Sequence, residues 1–98
     1  MVSKKLPINL QKYVFFEQLK QLSFVEKIIL FGSRARGSER VRSDIDIAIV
    51  CPDATIQDWQ QVMNIIDRAD TLLMIDCIRF DSLDREMQQY ILKDGIEV

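Results

Sequence analysis

Phe31-Gly32-Ser33-Arg34-Ala35-Arg36-Gly37-Ser38-Glu39-Arg40-Val41-Arg42-Ser43-Asp44-Ile45-Asp46 is the stretch on which the reading of this chain turns. An apolar run over residues 28–31 ends in a small-residue turn, an arginine-rich loop comes next, and two acids open a second apolar run over residues 45–50, closed by Pro52. Both runs predict strands, the second through its β-branched content. Gly32 lets the backbone approach a ligand closely. Ser33, where strand gives way to turn, brings a hydroxyl and neighbouring N–H groups to where a phosphate can meet them. Small residues also dominate ordinary turns for conformational reasons alone, so the pair gains meaning only from the arginines and acids C-terminal to it.

Asp44 and Asp46 are two residues apart at the mouth of the second strand. Their side chains therefore project from one face while Ile45, Ile47 and Ile49 point to the other. Like charges so placed repel, and a divalent cation is the simplest agent that reverses the sign of that interaction. Oxygen ligands without imidazole or thiolate favour Mg²⁺ or Mn²⁺. A third acid, Asp76, lies within residues 72–80, where every other residue except Arg79 is apolar. A lone buried carboxylate is expensive unless something pairs with it. Two readings are open: a buried ion pair with Arg79, which alternation puts on the opposite face, or a third carboxylate beside Asp44 and Asp46 around one or two metal ions. We favour the second, in which Asp76 helps bind one metal and draws the proton from an attacking hydroxyl. Four of the seven arginines, Arg34, Arg36, Arg40 and Arg42, fall between the turn and the acids. Guanidinium forks suit phosphate oxygens, which makes Arg34 and Arg36 candidates for substrate or partner contact.

Outward from this segment, Asn9 predicts the cap of a helix over residues 10–22, with an apolar stripe of Leu10, Val14, Phe15, Leu19 and Leu22. Over residues 55–69, Ile56, Trp59, Met63 and Ile66 recur at helical spacing. Residues 72–80 predict a third, well-buried strand. Ser82 or Asp81 predicts the cap of a last helix carrying Leu83, Met87, Tyr90 and Ile91, with Gly95 as its stop and a short edge strand after it. Helices and strands alternate, so the expected class is α/β or α+β, a small sheet covered by helices.

The 98 residues suit one domain, expected to span residues 1–98, with charged residues of both signs interspersed at 29%. The net charge of −2 argues against a broad, sequence-independent grip on nucleic acid. Phosphate binding must then be local. The N-terminal lysines are succeeded by no apolar run of signal-peptide or membrane-span length, so a cytoplasmic location and no membrane contact are expected. Cys51 and Cys77 stand far apart, outside any zinc or redox spacing, and read as small buried hydrophobes. The chain has no histidine, which removes Ser-His and Cys-His nucleophiles and imidazole ligands together. Any chemistry must use carboxylates, hydroxyls, Arg and Lys.

Taken together, these residues resemble the minimal nucleotidyltransferases of the DNA polymerase β-like superfamily. That family's pattern is Gly-Ser, ten residues, then Asp-x-Asp; here Gly32-Ser33 is separated by ten residues from Asp44-Ile45-Asp46, with similar flanks in Ala35-Arg36-Gly37 and Ser43. Asp76 matches the family's third acid by context, with no strict spacing. The resemblance runs from about Phe15 to Val98. It implies a small mixed sheet flanked by helices, a nucleoside triphosphate donor such as ATP, Mg²⁺ as cofactor, catalytic and metal-binding roles for Asp44, Asp46 and Asp76, and nucleotide contacts from Gly32, Ser33, Arg34, Arg36 and Ser43. It also implies a helical HEPN-domain partner, a toxin to which a type VII-like antitoxin of this kind transfers AMP at a tyrosine.

Two other readings compete. One is an antitoxin that neutralises its partner by contact alone. The other is a small-molecule nucleotidyltransferase, which would need a second subunit to enclose its acceptor. A template-independent RNA polymerase fits less well, since no extended basic or aromatic track is present.

Overall fold

The computed structural model describes residues 6–40 and 42–98; the N-terminal lysines Lys4 and Lys5 fall outside the described residues. In chain order the elements are α1 (Phe15–Lys20), β1 (Lys27–Phe31), α2 (Ser33–Arg36), β2 (Ile45–Val50), α3 (Ile56–Asp67), β3 (Ile75–Arg79), α4 (Arg85–Asp94) and β4 (Ile96–Glu97), with a 3₁₀ turn at Phe80–Ser82. The four strands form one sheet in the order β3-β2-β1-β4. β1 is antiparallel to β2 and β4, and β2 is parallel to β3. This is the small mixed sheet flanked by helices that the sequence implies.

Alternation along β2 decides which face is which. Ile45, Ile47 and Ile49 are all fully buried with Ile28, Leu30, Phe15, Phe16 and Val62 in the larger core, under α1 and α3. Each such side chain contributes about 1.5–3 kcal/mol on burial. An exposed pair of like charges at contact distance opposes by only about 1 kcal/mol in a high-dielectric setting, so the isoleucines set the strand's orientation. The opposite face carries Ile29, Phe31 and Ala48 against Ile91 of α4, and Asp46 shares that face.

α3 begins within a residue of where its helical spacing predicts, and a capping box fixes the start: Thr55 Oγ1 accepts from the Asp58 N–H at 3.0 Å, and Asp58 Oδ2 accepts from the Thr55 N–H at 2.9 Å. Its inward stripe is Trp59, Val62, Ile65 and Ile66, whereas Ile56, expected to pack, is 86% exposed in the first turn.

Three expectations need correction. The first helix starts at Phe15, and Asn9 caps nothing, because residues 8–12 are turns that bury Leu10 by themselves. Tyr13 and Val14, aromatic and β-branched, favour helix poorly, and the element starts only after them. The last helix is capped by Asp84, whose Oδ1 accepts from the Met87 N–H at 2.8 Å. Asp81 instead accepts from the Cys51 N–H at 2.7 Å, tying the end of β2 to the turn after β3. The third strand is neither as long nor as buried as expected. Its parallel register pairs Ile45 with Ile75, so no ladder exists before Ile75, and Leu72 and Met74 stand exposed. β3 is an edge strand with only partly buried side chains, and Asp76 on it is exposed.

Arg79 does lie across the strand from Asp76. Its Nη2 donates to the carbonyls of Cys51 (2.9 Å) and Ala54 (3.0 Å), closing the turn between β2 and α3. The ion-pair reading of Asp76 therefore falls. Among the described residues no helix is long and apolar enough to cross a membrane.

Candidate active site

β1 delivers the chain to Gly32 at its exit, and β2 receives it again at Ile45, directly alongside. The register places Phe31 opposite Asp46, so the Gly32 turn sits over the Asp46 carboxylate. Gly32 has φ +75° and ψ −156°, a backbone conformation essentially closed to residues with a side chain. A Cβ built there would overlap Asp46 Oδ2 and lie 3.2 Å from its Cγ. The absent side chain is what gives the carboxylate its room. α2 begins at once and ends at Gly37, left-handed with φ +76°.

The parallel pairing of β2 and β3 sets Asp46 directly beside Asp76. Neighbouring strands lie about 4.7–4.9 Å apart, so the two carboxylates share one patch of the sheet face. Asp44 lies just outside the strand, exposed. The electrostatics register this convergence. The Asp46 carboxyl is held above its ordinary range, first by burial, then by the charges of Asp76 and Asp44, while the Arg36 guanidinium pulls the other way. Among the described residues none of the three acids is within ion-pair distance of a Lys or Arg. Nor do three acidic or cysteine side chains among them form a ready metal cage. Burial pushes the Cys77 thiol up to about 12, and burial likewise raises Cys51, so neither supplies a thiolate ligand.

The raised Asp46 carboxyl carries a testable sign. In the folded chain its proton is held more tightly than in the unfolded chain, so the stability from the protonated form is complete below the unfolded value and is lost as pH rises through the folded value. Asp46→Asn removes that loss. Without divalent metal the variant is expected to melt above the wild type near neutrality, with the gain shrinking toward about pH 4, the unperturbed carboxylate range. Thermal melts across this range check it, and a variant less stable than wild type at neutral pH contradicts it.

The remaining candidates divide. Arg36 is exposed beside the acids, and Ser33 heads α2 next to Gly32. Arg34, by contrast, is 4% exposed, and its Nε and Nη2 donate to the Ser43 carbonyl at 3.1 and 2.9 Å. The Ser43 hydroxyl accepts from the Arg40 N–H at 2.8 Å, and the Ser43 N–H donates to the Arg40 carbonyl at 3.0 Å. Arg34 and Ser43 thus hold the loop that returns the chain to Asp44. A residue outside the sequence-derived set also arrives: Arg36 Nη1 donates to Tyr90 Oη at 3.4 Å. The sequence reads Tyr90 only as one more member of a helical stripe, since nothing local links it to the motif.

An acid-lined sheet face under a glycine turn, with a guanidinium at its rim, is suited to gripping a polyphosphate through metal and arginine and to taking a proton from a hydroxyl. The polymerase beta nucleotidyltransferase family matches residues 16–98. The chain belongs to this family. Among solved structures it is similar to a mutant of the toxin–antitoxin MntA-HpeT at 24% identity, with a TM-score of 0.64 over 96% of this chain and 72% of that one. A toxin–antitoxin with AMP-PNP matches at 24% identity and TM-score 0.60, over 85% of this chain and 68% of that one. A candidate nucleotidyltransferase from Sulfolobus solfataricus matches at 24% identity and TM-score 0.54, over 85% and 71%. These likenesses speak for the nucleotidyltransferase fold. No curated protein matches the sequence significantly.

Proposed function

We propose that this nucleotidyltransferase carries AMP from ATP to a hydroxyl, a tyrosine of a helical HEPN-type toxin partner, and so acts as an antitoxin. The observation that carries the reading is the pairing of Asp46 with Asp76 beneath a glycine that leaves the carboxylate room. The residues fit a divalent cation: the donors are all carboxylate oxygens, and two of them, on Asp46 and Asp76, stand side by side on adjacent strands. Asp44, Asp46 and Asp76 would hold Mg²⁺ or Mn²⁺, which when bound neutralises and orients the triphosphate. Ser33 and Arg36 hold phosphate oxygens, and Arg34 with Ser43 positions the loop. Asp76 accepts the proton of the acceptor hydroxyl as its oxygen bonds to the α-phosphorus and the bond to pyrophosphate breaks. The toxin as acceptor is supported by the toxin–antitoxin character of two structural neighbours, one of them with AMP-PNP.

The test is to incubate the chain with α-labelled ATP, Mg²⁺ and a candidate HEPN-type partner. Label is expected on the partner, at a tyrosine by mass spectrometry, and little on the chain alone. Millimolar Mg²⁺ with ATP is also expected to raise the melting temperature, since a ligand bound only by the folded state stabilises it by mass action. Neutralisation of the partner with no adduct on it favours the contact-only antitoxin. A melting curve unmoved by metal and ATP, with no adduct on any acceptor, sinks the proposed site.

A further inference from the structure

α4 covers the same face of the sheet as the acids, and its outer side carries side chains that the core does not use. The core on this face is closed by Ile91. Tyr90, next to it, is 53% exposed, and Met87 one turn earlier is 37% exposed. With Asp84 and Glu86 they line a shallow cleft of about 470 Å³. Residues three and four apart share a helix face, so ring and thioether form one patch. Tyr90 is not anchored to the core. Its hydroxyl accepts from Arg36, the same guanidinium whose charge acts on Asp46.

From this juxtaposition we infer that Tyr90, flanked by Met87, is the stacking wall for the base of the donor nucleotide. The inference rests on the nucleotidyltransferase reading above and adds a ligand subsite to it. A site that grips phosphates alone holds inorganic triphosphate as well as ATP. To prefer the nucleotide it needs a flat apolar surface within a ribose's reach of the phosphate grip. Tyr90 supplies an aromatic face there, Met87 a polarizable sulfur, and the Arg36 hydrogen bond holds the ring beside the guanidinium. The cleft falls in the roughly 300–1,000 Å³ range of small-molecule sites. An occupant that stacks on Tyr90 and also reaches the Arg36 guanidinium bonded to it would be flat and joined to an anionic group, which describes a nucleoside triphosphate. Stacking is indifferent to which base is present, so this wall selects nucleotides over bare polyphosphate and leaves the choice among bases to other contacts.

The experiment titrates wild type, Tyr90→Leu and Tyr90→Phe with ATP and with inorganic tripolyphosphate, both with Mg²⁺, by calorimetry. Wild type is expected to bind ATP more tightly than tripolyphosphate. Tyr90→Leu is expected to weaken ATP about tenfold or more, the size of a lost base–aromatic stack, and to leave tripolyphosphate unchanged. Tyr90→Phe, which keeps the ring and loses only the hydroxyl that accepts from Arg36, is expected to lose less than Tyr90→Leu. ATP affinity unchanged in Tyr90→Leu, or an equal loss of both ligands, overturns the stacking role while the phosphate site stands. A wild type that binds neither ligand overturns both readings. If Tyr90→Leu melts lower, the Phe variant and a Tyr90→Trp variant, expected to hold ATP at least as tightly as wild type, decide the question.

Discussion

Asp76→Asn is expected to lower nucleotide transfer by about 10²-fold or more while leaving the melting temperature of the metal-free protein unchanged or slightly raised. The loss comes from the role proposed for it, because an amide neither accepts a hydroxyl proton nor binds a cation as an anion. The unchanged stability comes from the structure. Asp76 is exposed on an edge strand, and among the described residues it forms no ion pair, so its removal strands no opposite charge. Surface changes of this kind stay within about 0.5 kcal/mol. Had Asp76 been half of a buried pair, the same substitution would cost roughly 3–5 kcal/mol. Melting curves without metal and transfer rates with it, on one variant, separate the two. A folded Asp76→Asn protein that transfers at the wild-type rate removes the residue from the site.

Gly32→Ala is expected to damage both the fold and the site. Alanine at φ +75° and ψ −156° costs about 1–3 kcal/mol in backbone strain alone. The new Cβ also falls on the Asp46 carboxylate, which must swing away from Gly32 or push the turn off the sheet. Together these should lower the melting temperature by roughly 8–16 °C, if the combined penalty is about 2 kcal/mol in a domain of this size. Transfer should be lost even at temperatures where the variant is folded. Gly37→Ala is the control. It has the same sign of φ, at +76°, but open space around its Cβ. It should lose about 1–2 kcal/mol of stability and keep its activity once folded. If Gly32→Ala behaves like Gly37→Ala, the close approach to Asp46 has no functional meaning.

The parts of the fold that could be read from the sequence are those whose signal is local. The two strands around the motif and α3 announce themselves through apolar runs, alternation and helical spacing, and they fall within a residue or two of where they are expected. Asp76 stands out in the sequence for a reason the structure overturns. Its apolar neighbours suggest a buried strand, yet β3 is an edge, and what brings Asp76 to Asp46 is parallel register, a long-range property with no local mark. Arg34 and Arg36 are two residues apart in sequence and alike in chemistry, but one turns inward to the Ser43 carbonyl and the other outward to Tyr90. The direction each takes depends on the path of α2 over the sheet, which spacing alone does not contain. The contact between Arg36 and Tyr90 joins positions over fifty residues apart and leaves no trace in the sequence for the same reason.

The pairing of Asp46 with Asp76 on adjacent strands has one more implication, for how freely such a chain can drift. The gap between the two acids is ruled by main-chain hydrogen bonds, which every residue but proline can make. Core positions around them therefore need supply only apolar volume and the right alternation, and many different side chains meet that demand. The geometry of the acids is expected to tolerate wide replacement of the surrounding sequence, provided that the ladder, the two carboxylates and the glycine above one of them remain. In such a chain the site is stored in the backbone's pitch, and only a handful of letters must stay as they are.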